Sequence, residues 1–352
     1  MERLDYFLRR LLLVIPTFLG ITILCFTITQ FVPGGPVEQL MIKLRGMGGG
    51  GEVAMTTAGA GGVATSEQSA EAERQAFVKH FGFDQPVVVR YWHWLWRDRC
   101  GMLARSYKFS NKTAWEMISQ RFPVSLIFGL TSFILTYLIC IPLGVVKALR
   151  HGEPFDLFSS VVVFIGYAIP VFAMGMLLKM LFCGTVEGLW DFFPAAGFHS
   201  ANYETLNFWG KAKDIFMHMV LPIVCYMMGS FAMLTLLMKN SLLEQINSDY
   251  IRTVYAKGGS TARALWGHAL RNALVPVATG FGSVLTVMFA GSVIIERVFE
   301  IPGMGNLSLE AIVGRDYPVF MGILALTSIL GLLGNILSDF CYVIIDPRIN
   351  FN

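Results

Sequence analysis

Charge is scarce in this sequence: Asp, Glu, Lys and Arg together make up 14% of its 352 residues, against about a quarter in an ordinary soluble domain. A soluble globular class is thereby excluded. The net charge of +3 is small and the basic residues form no continuous stripe, so nothing points to nucleic acid. A phosphate loop is missing too, because Gly48 to Gly51 is followed by no Lys-Ser or Lys-Thr. The six cysteines make no CxxC and no spacing with histidine that would hold a metal. Cys25, Cys140, Cys225 and Cys341 lie in apolar runs, while Cys100 and Cys183 fall outside or near the outer boundary, where one bridge between them is conceivable. His80, His93, His151, His199, His218 and His268 are scattered, and the first five suit water or a membrane interface. A membrane-bound enzyme would need a nucleophile, an acid–base pair or metal ligands, and none assembles here.

What is abundant is apolar sequence, 55% of the chain, gathered into runs near the ~20 residues that a helix needs to cross a bilayer. Arg3, Arg9 and Arg10 precede a first span over residues 11–32; it is too long for a secretory signal and has no small-residue cleavage site. Five more spans follow at about 124–146, 157–182, 218–238, 273–295 and 318–345. Gly166 and Pro170 should kink the third, and Lys179 near its outer end should snorkel to headgroups. The expected fold is thus an all-α polytopic membrane protein with six transmembrane helices. It comprises an N-terminus (1–10), the first span, a large first loop (33–122), a core of five spans (123–345) and a short tail (346–352). Within the first loop, 46–62 is a Gly-rich insert with too little apolar content to order itself, and Trp92, Trp94 and Trp96 with Arg90, Arg97 and Arg99 suit a helix at the membrane interface.

Lys and Arg set the orientation. One side holds eleven of them, the short loops of the other side four, and the long first loop a further eleven. Long loops translocate largely regardless of charge, so both termini and the 239–272 loop are expected in the cytoplasm.

That loop is the most informative stretch. Ile246, Tyr250, Ile251, Val254 and Tyr255 share one helix face, Ser248 can cap the helix, and Gly258-Gly259 offers a stop and a turn. Ser260 or Thr261 then caps a second helix carrying Leu265, His268 and Leu270. Pattern alone also allows an interfacial hairpin resting on lipid.

Arg252-Thr-Val-Tyr-Ala-Lys-Gly258 followed by His268-Ala-Leu-Arg-Asn-Ala-Leu-Val-Pro276 resembles the coupling loop of binding-protein-dependent ABC importer permeases, with Val254 and Tyr255 where that family has Ala and Arg. Pro33-Gly-Gly-Pro36, Gly291-Ser-Val-Ile-Ile-Glu296, Pro302-Gly-Met-Gly305, Arg315-Asp-Tyr-Pro318 and the tail Asp339 to Ile349 narrow the resemblance to B-type subunits of the dipeptide/oligopeptide branch, the Yej type above all. Gly101-Met-Leu-Ala-Arg-Ser106 is a degraded form of the branch's Gly-Asp-x-Gly-x-Ser.

The resemblance implies the type I ABC importer fold in a bacterial inner membrane and a non-catalytic subunit that binds no cofactor. It also implies a second, homologous permease subunit, two ABC ATPases carrying ATP and Mg, and an extracytoplasmic peptide-binding protein. The ATPase-coupling residues would be Tyr250, Ile251, Arg252, Thr253, Val254, Tyr255, Ala256, Lys257, Gly258, His268, Leu270, Arg271 and Asn272. Glu296 and Asp339, the ionisable residues nearest the membrane, would line the translocation path or hold helix ends. A permease of the same build for nickel or glycosides fits the same pattern. A secondary transporter would be expected to show internal repeats and ionisable residues at mid-span, which are not seen.

Overall fold

The computed structural model describes residues 2–31, 75, 84–109, 111–186, 190–278, 280 and 291–345. Among them the chain is mainly helical, with no strand and two isolated bridges, Arg105 to Thr113 and Cys183 to Asp191. The helices are α1 (Glu2–Phe31), α2 (Val87–Trp92), α3 (Ala114–Leu149), α4 (Pro154–Ala168), α5 (Val171–Phe182), α6 (Phe208–Ile246), α7 (Asp249–Ala256), α8 (Thr261–Ala264), α9 (Leu270–Ala278), α10 (Val293–Val298), α11 (Met304–Val313) and α12 (Tyr317–Ile345). Four are long and apolar enough to cross a membrane, over Tyr6–Gln30, Ala114–Leu149, Phe208–Ile246 and Tyr317–Cys341. The pair α4 and α5 makes a fifth if it is one span, although it is bent by 99° at Ile169-Pro170. The kink expected at Pro170 is therefore a full break. The proline lacks an N–H and disfavours helical backbone at Ile169, which is extended at φ −81°, ψ 124°. Most of the span expected at 273–295 lies outside the described residues, as does the Gly-rich insert.

The chain forms two compact units. One comprises Met1–Pro16, Ser119–Leu309 and Thr327–Asn352. Its buried side chains gather in two clusters. In the first, Cys140, Val145, Leu234, Met238, Leu242 and Ile251 meet Ala264, Leu265, Ala269 and Ala273; in the second, Phe128, Met219, Leu221 and Cys225 meet Ile295, Phe299 and Ile301. Small residues on α8 and α9 allow backbones to approach closely, which is how helices pack where lipid removes the hydrophobic drive. Helix α6 has 39 residues, about 58 Å at 1.5 Å per residue. That is nearly twice a hydrocarbon core of ~30 Å, so α6 extends well beyond a bilayer.

The other unit comprises Thr17–Ile118 and Glu310–Leu326. Phe26, Tyr91, Trp94, Met321 and Ala325 form its core, and Tyr91 shares a 3.0 Å hydrogen bond with Thr22. The three tryptophans divide. Trp94 is buried, whereas Trp92 and Trp96 stack on each other and are exposed. Two motifs that are far apart in sequence meet in this unit: buried Asp316 accepts hydrogen bonds from the Ser106 hydroxyl and, at 3.0 Å, from the Tyr107 N–H.

Three local expectations are corrected. Ser248 precedes α7, but its hydroxyl donates to the Gln245 carbonyl at 2.5 Å and caps nothing. Lys179 does not snorkel outward: its Nζ donates to the Val298 carbonyl at 2.9 Å, with Glu300 3.7 Å away. His218 is buried, its Nδ1 2.8 Å from the Asp214 carbonyl oxygen and 3.6 Å from the Asp214 carboxylate. All six cysteines, Cys100 and Cys183 included, are free thiols.

Candidate functional site

The hairpin between α6 and α9 is built around a glycine turn. Helix α7 ends in a Schellman motif: the Gly258 N–H donates to the Tyr255 carbonyl and the Gly259 N–H to the Val254 carbonyl, both at 2.9 Å. Gly258 sits at φ +76° with open space where a Cβ would stand, so backbone conformation rather than room selects glycine there. At Gly259 the selection is steric, since a Cβ would come within 2.6 Å of Val254 Cγ1 and 2.8 Å of the Val254 carbonyl oxygen. Ser260 caps α8 by accepting from the Arg263 N–H at 3.3 Å.

The candidate coupling residues sort by face. Ile251, 1% exposed, inserts among Met238, Leu242, Ala264 and Ala269, with Val254 and Leu270 half-buried at its margin. Tyr250, Arg252, Thr253, Tyr255, Ala256, Lys257 and Gly258 are exposed, and so are His268, Arg271 and Asn272. One polar chain crosses the rim: the Tyr250 hydroxyl donates to Gln245 Oε1 at 2.7 Å and accepts from Asn272 Nδ2 at 3.1 Å, joining α6, α7 and α9. Arg252 and Asp249 approach to 3.4 Å, but both are well exposed, so the pair contributes little. The hairpin is therefore fixed from within and open outward. His268 lies in the π-helical turn Leu265–Ala269 and is exposed, while Ala264, Leu265 and Ala269 face inward.

Glu296 and Asp339 are both held by protein groups. Glu296, 1% exposed, accepts from Ser125 Oγ at 3.0 Å, from the Asn306 N–H at 2.7 Å and from the Ser292 N–H at 3.3 Å. Ser125 Oγ in turn accepts from the Met304 N–H at 2.7 Å, so the carboxylate and the hydroxyl together satisfy the first turn of α11. Burial pushes the Glu296 carboxyl above its usual range, and the donors oppose that shift without cancelling it. Asp339 is ion-paired to Arg10, whose guanidinium also lies over the Tyr6 ring at 5.4 Å, pinning the start of α1 to the end of α12.

Sequence reasoning missed a third charged group. Asp156, in the first turn of α4, is buried with Lys147 of α3 and Lys239 of α6. The available signal was a lysine directly after each of two apolar runs and an aspartate just after Glu153-Pro154. Among the described residues no group of His, Cys, Asp or Glu could hold a metal ion.

Residues 140–351 match the family model described as binding-protein-dependent transport system inner membrane component. The chain is 39% identical to the peptidoglycan transport system permease protein YejB of Agrobacterium fabrum, with 98% of each chain covered. It is 35% identical to the oligopeptide transport system permease protein AppB of Bacillus subtilis, over 98% of this chain and 99% of the relative. To the dipeptide transport system permease protein DppB of Escherichia coli K12 it is 33% identical, over 98% of both. A helical chain carrying this hairpin, matched end to end by permease subunits, is a member of the family of inner-membrane components of binding-protein-dependent transport systems.

Proposed function

We propose that this chain is one half of the membrane channel of an ATP-driven peptide importer, with both termini and the hairpin in the cytoplasm. Two partner ATPases hydrolyse ATP with Mg, a second and homologous permease subunit completes the channel, and an extracytoplasmic peptide-binding protein delivers the solute. This chain holds no cofactor and performs no chemistry. The observation that carries the reading is the two-sided hairpin. Its inner face, centred on Ile251, is locked into the cluster shared by α3, α6 and α9, while Tyr250, Arg252, Tyr255 and Lys257 are left exposed for a partner.

The proposed mechanism follows from that asymmetry. ATP binding closes the two ATPases and displaces the hairpin lodged in one of them. Because Ile251 is interdigitated with Met238 and Leu242, the displacement passes into α6 as a rigid-body movement, and the bundle rocks between outward and inward openings. The relatives' names, which mention dipeptide, oligopeptide and peptidoglycan, support peptides or peptide-bearing fragments as the solute class.

The test is extraction of the tagged chain in mild detergent with mass spectrometry of what co-purifies. A second polytopic permease and ATPases with phosphate loops are expected. A chain that emerges alone at every detergent strength would overturn the reading in favour of an ATPase-independent transporter. Stimulation of the complex's ATP hydrolysis by a binding protein loaded with nickel or a glycoside, and not with peptide, would move the solute class.

A further inference from the structure

Helix α4 is held to its unit in an unusual way. Along its 15 residues only Asp156 and Val163 are buried, while Leu157, Phe158, Val161 and Ile165 are each more than half exposed. Its firmest attachment is thus a carboxylate. Lys239 Nζ on α6 donates to both oxygens of Asp156, at 2.8 and 2.7 Å, and Lys147 Nζ on α3 lies 3.1 Å from Oδ1. The Gly152 N–H adds a bond to Oδ2 at 3.2 Å, and His151 Nδ1 is 3.4 Å from the same oxygen.

The protons around Lys147 can be followed one by one. Its ammonium, fully buried, has the Asp156 carbonyl at 2.9 Å and the hydroxyls of Ser159 and Ser160 at 2.8 Å. Those hydroxyls give their own protons to the carbonyls of Phe155 and Asp156, both at 2.7 Å, which leaves their lone pairs for the lysine. Each of the three Lys147 N–H groups thus has an acceptor. Two cations from different helices meet one anion on a third.

Stability alone is a weak reason for such a cluster, because burying charges costs as much as their attraction returns and apolar packing does as well. What the cluster does provide is registry: a carboxylate chelated by Lys239 and braced by Lys147 admits one position of α4 against α6. Lys239 stands only eight residues before Asn247, where the hairpin begins. The intervening helix is gripped by the Ser241 hydroxyl on the Ala273 carbonyl at 2.9 Å and by Leu242 against Ile251. Beyond the 99° break, α5 is held by Lys179 on the Val298 carbonyl.

We infer that Asp156 is the positioning residue through which movement of the hairpin reaches the broken helix α4–α5, so that ATP-driven displacement is delivered to this part of the bundle by one buried carboxylate. The inference rests on the reading of the hairpin as the ATPase contact. The test uses the whole complex in proteoliposomes, with tritiated tri-alanine as the probe and its uptake per ATP hydrolysed as the readout. In Asp156→Asn and in Lys239→Met the complex assembles and hydrolyses ATP, but uptake per ATP falls about tenfold, inside the roughly 5- to 150-fold that a coupling free energy spans. Asp156→Glu, which keeps the charge, recovers part of it. Normal uptake per ATP in either charge-removing variant overturns the inference, and so does failure of both to assemble, since the cluster would then be structural. Gly258→Val, run in parallel, separates the two ideas. If it uncouples and the Asp156 and Lys239 variants do not, only the joint is wrong; if it too leaves coupling intact, the hairpin reading fails first.

Discussion

Glu296 shows what a single buried carboxylate can do for a helix junction. It accepts the Asn306 N–H and the Ser125 hydroxyl, and a Cβ on Gly303 would run into it, so the α10–α11 segment closes around this side chain. Replacing it with Ala strands those donors, and leaving buried donors unpaired costs about 1–3 kcal/mol each. Glu296→Ala should therefore lower the apparent melting temperature of the detergent-extracted protein by several degrees. The pH dependence has a definite sign. Its carboxyl titrates above the ordinary 4.5 in the folded chain, so the folded state binds the proton more tightly than the unfolded one. The stability this confers is complete below the ordinary value and is lost as pH rises through the raised one. Glu296→Gln, neutral at every pH, should flatten that decline in a thermal-shift series, and an unchanged slope would show that another group titrates there.

At the scale of elements, the hairpin turn makes the sharpest prediction. Gly258 needs a left-handed backbone but has open space for a side chain. A residue with a Cβ pays roughly 1–2 kcal/mol in that conformation, and Asn tolerates it best. Gly258→Asn should keep uptake near normal, Gly258→Val should uncouple ATP hydrolysis from uptake, and Gly259→Ala should resemble Val because its methyl would strike Val254. Equal behaviour of Asn and Val at 258 would show that the turn's shape is immaterial.

This element was also the most legible in the sequence, and the reason is physical. A polar run between apolar runs, punctuated by Gly-Gly, is encoded within a few residues, and Schellman turns are local. The Asp156 cluster was not legible, because Lys239 is 83 residues away in the chain and nothing near either residue announces the other. The same holds for Lys179, whose partner carbonyl at Val298 lies 119 residues on. A long cation near a helix end reads as a snorkelling side chain until its neighbour is known. The π-helical turn Leu265–Ala269 was not legible either, since a periodicity of 3.6 does not anticipate it.

For the whole molecule, the count of Lys and Arg predicts which parts face which side. With the six native cysteines replaced, Trp96→Cys should react with a membrane-impermeant maleimide added to intact cells, and Tyr255→Cys only in inside-out vesicles. Both positions are exposed on this chain, so in vesicles stripped of peripheral ATPases access should be decided by the membrane. Labelling of Tyr255→Cys from outside would reverse the orientation and remove the hairpin from any ATPase. The number of long apolar helices, four or five among the described residues, was largely visible from run lengths. The 99° break was only half visible, since Pro170 marks the place but not the angle.

The two-sided hairpin has a further consequence, for how importers can diverge. Its two departures from the family pattern fall on different surfaces. Val254 is half-buried at the edge of the Ile251 cluster, whereas Tyr255 projects into the open at 45% exposure. Changes at positions like 255 can therefore accumulate without disturbing the fold, while those like 254 must be matched by their neighbours. A cell that runs several such transporters side by side could keep each motor loyal to its own channel by altering a few outward residues. Lineages would drift apart in partnership long before they drifted apart in architecture.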